Sequence, residues 1–235
     1  MAAAWRPEEQ RCHKEVLMKE KTVSLADQAY ELIKTNILNL TYPPGTPLTE
    51  SKLSEELKMS RSPIRMAIRI LQAEGLIVTD YYKSMTVKEI TKSDIEQVYQ
   101  LRELLELPAF QLIFDSGRYE EYSYRIEEKV VRMCASANDN YKWELADAAF
   151  HMEIISIYGN ERINRIYENN LAELIRMGMY SVQNGMLIQK TNENLKRMVL
   201  YMRGGNSEQA MNILTTDHFG TGRITALSSI SLRES

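Results

Sequence analysis

The spacing of apolar and polar residues over the first ninety positions predicts three short helices followed by two strands. Ser24 opens a helical pattern, "SLADQAYELIKTNILNL", and "TYPPGTP" ends it because proline cannot continue a helix. Thr49 is suited to cap a second helix, "ESKLSEELKM", and Ser60 a third, with Pro63 in its first turn. After Gly75, "LIVTD" and "MTVKEI" favour strands joined by a tip. This is the order of elements in a winged helix-turn-helix.

From "TKSDIEQVYQLRELLELPAF" onward the pattern is almost entirely helical. Turn-forming residues divide it into about six helices, each of the length expected for an antiparallel bundle. These breaks fall near Asp115–Gly117, Asn138–Asn140, Gly159–Asn160, Asn184–Gly185 and Gly204–Asn206. The fold class we predict is therefore mostly α, with an N-terminal winged helix-turn-helix and an all-α bundle.

The change of pattern also predicts the domain boundaries. We assign residues 1–22 to an N-terminal tail, residues 23–90 to the winged helix-turn-helix and residues 91–235 to the helical domain. Ser93, Asp94 or both are the expected caps of the first bundle helix.

Composition narrows the class of protein. A formal charge of -3 and 44% hydrophobic residues are typical of a globular chain that is not basic overall, although a local basic patch is compatible with both values. Cys12 and Cys134 form no C-x-x-C pair, which fits a reducing compartment without a disulfide framework. No segment has the length of a membrane span, so we expect a cytoplasmic protein without a membrane partner.

The third predicted helix carries a cationic face. Arg61, Arg65 and Arg69 recur at i, i+4 and i+8, and no acid follows them until Glu74. Taken alone, this pattern is compatible with a solvated charged face. As the second helix of a helix-turn-helix it would instead enter the major groove, where arginine pairs with guanine or phosphate. The opposite side is apolar, with Ile64, Ala67, Ile68 and Leu71.

The run "PPGTPLTESKLSEELKMSRSPIRMAIRILQAEGLIV" closely resembles the start of GntR-family transcription regulators. The resemblance implies that Arg61 and Arg65 are the principal DNA contacts, and that Glu50, Ser60 and Ser62 help to position them. The matching positions are Pro44, Gly45, Leu48, Glu50, Leu53, Ser60, Arg61, Pro63, Arg65, Leu71, Glu74, Gly75 and Leu76.

The wing departs from the family pattern at one position. The family's wing usually ends in Gly-x-x-Val, whereas this chain has Ser84 before Val87. Glycine permits a close backbone approach that serine does not. Lys83 remains suited to contact a DNA phosphate.

The second half resembles the helical effector domain of the FadR branch, called FCD, which implies effector binding and dimerisation. "SDIEQVYQLRELLELPAF" matches its opening, and the resemblance places Arg102 with Glu106 in an effector pocket, where arginine can pair with a carboxylate. A surface i, i+4 ion pair is the alternative. Asp147 and His151 in "ELADAAFHMEIISIYGN" are the second match, one turn apart on one helix face.

The resemblance also implies a divalent transition metal site, but an incomplete one. Many FCD domains add two histidines from later helices to this pair. Here the first falls at Leu195, and the second at or next to Asp217-His218. We therefore assign Asp147, His151 and His218 as candidate metal ligands, with no cofactor certain. A small acid bound directly by Arg102 and His151 is the alternative.

The sequence predicts a transcription regulator, a repressor whose affinity for DNA is controlled by an organic acid. Two copies would form a homodimer on a two-fold operator in double-stranded DNA. An enzyme is not expected, because a metal-assisted hydrolase has only Asp147 and His151 in its favour, without a recognised catalytic motif. A winged helix that binds protein is the third hypothesis, and the cationic helix argues against it.

Overall fold

A computed structural model describes residues 24–79, 85–183 and 187–231 and has the mostly helical fold that the sequence predicts. The residues of the assigned N-terminal tail lie outside this part of the chain. Three helices and three short strands form the first unit. They are α1 (Leu25–Leu38), β1 (Pro47–Leu48), α2 (Glu50–Glu56), α3 (Arg61–Ala73), β2 (Ile77–Thr79) and β3 (Met85–Val87).

The strands form one antiparallel sheet in the order β1-β3-β2. Pairing of Ile77 with Val87 and of Thr79 with Met85 gives the wing predicted from the sequence. The strand β1, which pairs Pro47 with Thr86, was not predicted. The tip that joins β2 to β3, with the candidate phosphate contact Lys83, lies outside the described residues.

The predicted helix starts are largely confirmed. Ser24 forms a capping box with Asp27 at the start of α1, and the hydroxyl of Thr49 accepts a hydrogen bond from the backbone of α2. Ser60 occupies the N-cap position of α3, but its hydroxyl makes no capping bond. One backbone donor in the first turn of α3 thus lacks the side-chain partner that the sequence suggested.

The second unit is a bundle of six helical segments, the number predicted. Its last segment runs continuously from Ser207 to Ser231. None of the helices in the described ranges is long and apolar enough to cross a membrane. The bundle consists of α4 (Lys92–Asp115), α5 (Tyr119–Ala135), α6 (Asn140–Ile155) with a 3-10 turn (Ser156–Tyr158), α7 (Glu161–Gln183), α8 (Ile188–Arg203), α9 (Ser207–Asn212), a π-helix (Ile213–Gly220) and α10 (Thr221–Ser231).

The cap of α4 corrects the sequence-based assignment. Thr91 is the N-cap: its hydroxyl accepts from the backbone of Asp94, and the Asp94 carboxylate accepts from the backbone of Thr91. Asp94 is therefore the third residue of a capping box rather than the cap itself. The Ser93 hydroxyl instead accepts a bond from the side chain of Gln97.

Each unit has its own apolar core, and the two meet through α7. The first core packs α1 and α3 against the sheet, with Ile33 and Leu71 fully buried, and the second fills the bundle. Lys88, just after β3, joins them. Its ammonium lies 2.6 Å from Glu173, and its carbonyl accepts a hydrogen bond from Arg176.

Replacing Thr91 with Ala should lower the free energy of unfolding by about 0.5–2 kcal/mol, because one backbone donor at the start of α4 loses its acceptor. Urea denaturation of the full chain measures the change. The control is Ser93→Ala, which removes no cap and should shift the midpoint little. Equal destabilisation by both variants would contradict the assignment of Thr91 as the cap.

Candidate functional site

The helix α3 presents its predicted cationic face to solvent. Arg61, Ser62, Arg65 and Arg69 are all exposed, and the opposite side of the helix is buried against α1. No acidic residue lies in the first turn, so nothing offsets the positive end of the helix dipole there. Glu74, the first acid after the arginines, forms an ion pair with Lys34, whose Nζ lies 2.8 Å from a carboxylate oxygen of Glu74.

One of the three guanidinium groups is held by a carboxylate. Nε and Nη2 of Arg65 each donate to Glu50 at 2.7 Å, and this hydrogen bonding lowers the pKa of Glu50. These two parallel hydrogen bonds orient the guanidinium of Arg65, while 55% of the side chain stays exposed. Arg61 and Arg69 make no hydrogen bond or ion pair with the residues that the structure describes.

In the bundle, α4, α6, α7 and the π-helix surround a small polar cavity of about 30 Å³, room for about two water molecules. Its walls include Arg102, Asp147, His151 and His218. The sequence analysis predicted these four as effector or metal ligands, and they come from three separate segments of the chain. Glu106 is fully buried beside them. The surface ion pair considered for Arg102 and Glu106 is therefore wrong, because both side chains lie inside the bundle.

A network of charged groups connects these side chains. Nε of Arg102 donates to Glu106 at 2.9 Å, and its Nη2 lies 2.5 Å from Nε2 of His151. Nδ1 of His151 contacts the other Glu106 oxygen, and the Tyr167 hydroxyl donates to Glu106 at 2.8 Å. Although burial alone would raise it, His151 and Arg102 lower the pKa of Glu106 to about 2.

The donor atoms of Asp147, His151 and His218 have a spacing that suits a metal ion. Nε2 of His151 is 2.9 Å from Nε2 of His218 and 3.4 Å from Asp147, and His218 is 3.2 Å from Asp147. Tetrahedral nitrogen ligands about 2.0–2.1 Å from zinc would stand about 3.3 Å apart. Three donors with an open position thus fit a divalent transition metal.

Two features limit that fit. Leu195, where the family has a further histidine, is buried in the apolar core and does not line the cavity. Arg102 also contacts the Nε2 lone pair of His151 that a metal would need, and one lone pair cannot serve both. A guanidinium and a metal ion therefore compete at His151.

Sequence reasoning missed several polar residues of the pocket, among them Tyr167 and Glu144. Tyr167 comes from α7, and Glu144 lies three residues before Asp147 on the same face of α6. The spacing of Glu144 from Asp147 was a usable signal, whereas nothing near Tyr167 in the sequence connects it with Glu106.

The exposed arginine helix and the separate polar pocket together define a ligand-responsive DNA-binding regulator, and comparison with known proteins agrees. The chain belongs to the GntR family of bacterial regulatory proteins, which matches residues 25–87, and carries an FCD domain over residues 97–219. Regulators of this family bind DNA, and FCD domains bind small-molecule effectors. The chain is a transcription regulator with an effector domain, not an enzyme.

Individual relatives are distant but cover most of the chain. The HTH-type regulator YdhC of Bacillus subtilis is 28% identical over 66% of this chain and 70% of its own. The gluconate operon repressor of Bacillus licheniformis is 25% identical over 66% and 65%. A GntR regulator from Rhodococcus sp. RHA1 has the same fold, with a TM-score of 0.70 and 18% identity over 86% of this chain and 97% of that one.

Replacing Glu106 with Gln should lower the free energy of unfolding at neutral pH by about 3–5 kcal/mol, because Arg102 would keep its buried charge without a carboxylate. The Glu106 pKa falls from 4.5 to about 2 on folding, so its contribution is present above about pH 4.5 and is lost as the pH drops towards 2. Chemical denaturation at a series of pH values, from 7 down towards 2, measures this loss of stability.

The matched control is Glu193→Gln, which changes an exposed acid on α8. It should change neither the free energy of unfolding at neutral pH nor the loss of stability on acidification. A Glu106→Gln protein that loses stability on acidification as steeply as the wild type would contradict this role of Glu106.

Proposed function

We propose that the protein is a repressor whose unit 23–90 binds operator DNA and whose unit 91–235 binds an organic acid and forms a homodimer. The two family matches fall inside these bounds. The observation that supports the proposed DNA binding is the exposed face of α3, which contains arginines and no acidic residue. Arg61, Arg65 and Arg69 contact bases and phosphates in the major groove.

Four other residues complete the proposed DNA-binding face. Glu50 fixes the guanidinium fork of Arg65 before DNA arrives, which reduces the entropy lost on binding. Ser60 and Ser62 lie at the start of α3, where free backbone donors attract phosphate. Lys83, which falls between β2 and β3 in the sequence, supplies a further phosphate contact. Two copies in the cytoplasm place two such faces about one helical turn apart on a two-fold operator.

The effector is a small organic acid held in the bundle cavity. Nε and Nη2 of Arg102 are already engaged, but its Nη1 donors make no hydrogen bond to the described residues, so they can receive a carboxylate. Glu106 and His151 hold the guanidinium in place. The cavity has room for about two water molecules, so a larger acid can bind only if its walls move.

The helix α7 transmits this movement to the DNA-binding unit. Tyr167 and Gly178 face the pocket, whereas Glu173 and Arg176 on the same helix bind Lys88 beside the wing. A shift of α7 on effector binding therefore changes the placement of the two α3 helices and the affinity for the operator.

A second property is favoured by the donor spacing in the pocket: Asp147, His151 and His218 would hold a divalent transition metal ion. When bound, the ion supplies a positive charge that attracts an effector oxygen. Asp147 contributes the carboxylate, and Glu106 fixes His151 through its Nδ1, so that Nε2 faces the site and binds the ion when Arg102 releases it.

Replacing Arg65 with Ala should weaken operator binding by roughly 1–3 kcal/mol, because a preorganised base or phosphate contact is removed. A duplex selected from random sequence by the wild-type protein serves as the operator in a gel-shift titration at moderate salt. Arg197→Ala, on the exposed side of α8, is the control and should bind normally. Unchanged binding by Arg65→Ala would overturn the proposed DNA face.

Native mass spectrometry with elemental analysis tests assembly and metal together. We expect a dimer mass and, after incubation with zinc and dialysis, one ion per chain, because three donor side chains converge. Asp147→Ala should lose the ion, whereas Asp115→Ala, at an exposed acid on α4, should keep it. A monomer would refute the two-fold assembly, and zinc binding unaffected by Asp147→Ala would refute the metal site.

A further inference from the structure

One carboxyl group of the cavity has no partner. Glu144 is 2% exposed and lines the cavity from α6, yet its Oε1 accepts no hydrogen bond from the described residues. Its other oxygen packs against Gly178 of α7, where even a Cβ atom would overlap the carboxyl group. An unpaired buried polar atom is costly, and such groups in folded proteins normally have a partner or a functional reason.

The other two carboxyl groups of the cavity have cationic or imidazole groups beside them. Glu106 is bound by Arg102, His151 and Tyr167. Asp147 lies within 3.4 Å of both His151 and His218, although its Oδ1 accepts no hydrogen bond from the described residues. Glu144 forms no ion pair with the described residues, and Arg102 only partly offsets the effect of burial on its pKa. Burial and the charge of Asp147 raise the pKa of Glu144 well above its usual value, which reflects the missing partner.

We propose that Glu144 selects an effector that carries a cationic amino group as well as a carboxylate, that is, an amino acid. This inference rests on the acid effector proposed above and specifies its chemical class. The carboxylate binds the Nη1 side of Arg102, and the ammonium donates to Oε1 of Glu144.

Charge balance favours an ammonium over a hydroxyl group at this position. A simple acid adds negative charge near Glu144 and so favours the neutral form of its carboxyl group, which gives the acid no ionic partner there. A hydroxyl donor would satisfy Oε1 but would bring no positive charge to stabilise a Glu144 carboxylate. A zwitterion enters with no net charge and supplies opposite charges to Arg102 and Glu144.

The test is a matched series of ligands measured by calorimetry on the full-length protein as purified. The series runs from glycine to aminohexanoate, with the ω-hydroxy acid and the unsubstituted acid of each chain length. We expect one or two amino acids to bind at least about tenfold more tightly than both of their counterparts. An equal affinity for the hydroxy acid or the plain acid would overturn the selection of an ammonium.

The variant Glu144→Gln keeps the shape of the side chain but removes its charge. It should reduce the preference for the amino acid to less than about threefold, while plain acids bind as well as before or better. Without ligand it should melt at the same temperature as the wild type or higher, because a buried atom without a partner contributes nothing to stability. Glu193→Gln is the control and should retain the full preference.

Two results would separate failure of this inference from failure of the acid effector. If acids bind and Arg102→Met abolishes their binding, but Glu144→Gln retains the amino preference, the role of Glu144 is refuted and the acid effector stands. If no member of the series binds to the wild-type protein, the acid effector is refuted, and the inference with it. A marked loss of ligand-free stability in Glu144→Gln would show Glu144 to be structural and would also overturn the proposal.

Discussion

The polar centre of the bundle is organised around the buried guanidinium of Arg102. A charge in an apolar interior is tolerated only when opposite charge and hydrogen bonds surround it, and Glu106, one helical turn away, supplies both. Holding Glu106 in turn requires His151 from α6 and Tyr167 from α7. Three helices are thereby fixed to one another at a polar centre, and the same centre leaves donors that a ligand can use.

The two halves of the chain differ in how directly sequence reports structure. The arginine face of α3 follows from helical spacing alone, and the exposed positions are those that the pattern predicts. The pocket depends on contacts between distant segments. Arg102, Glu106, Asp147 and His151 were found through the resemblance to FCD domains, because a spacing of one turn on one helix is equally compatible with a surface pair.

The failures have physical reasons. The strand β1 has two residues, too short for any period to be visible. The cap of α4 was assigned to Ser93 or Asp94 because a capping box contains two polar residues, and the sequence does not show which of them precedes the helix. Tyr167 could not be found because its partner lies 61 residues earlier in the chain.

The π-helix between α9 and α10 has a consequence for the evolution of the pocket. Its wider turn accommodates extra backbone relative to an α-helix, and such segments often originate as insertions of one residue. In this phase His218 lies 3.2 Å from Asp147. Deleting one residue before it would turn the following side chains by about 100° and present Phe219 in its place. The loss of one codon in this segment would thus replace a polar side chain of the pocket with an apolar one. Sequence alignments that assume an uninterrupted α-helix here will assign His218 to the wrong position.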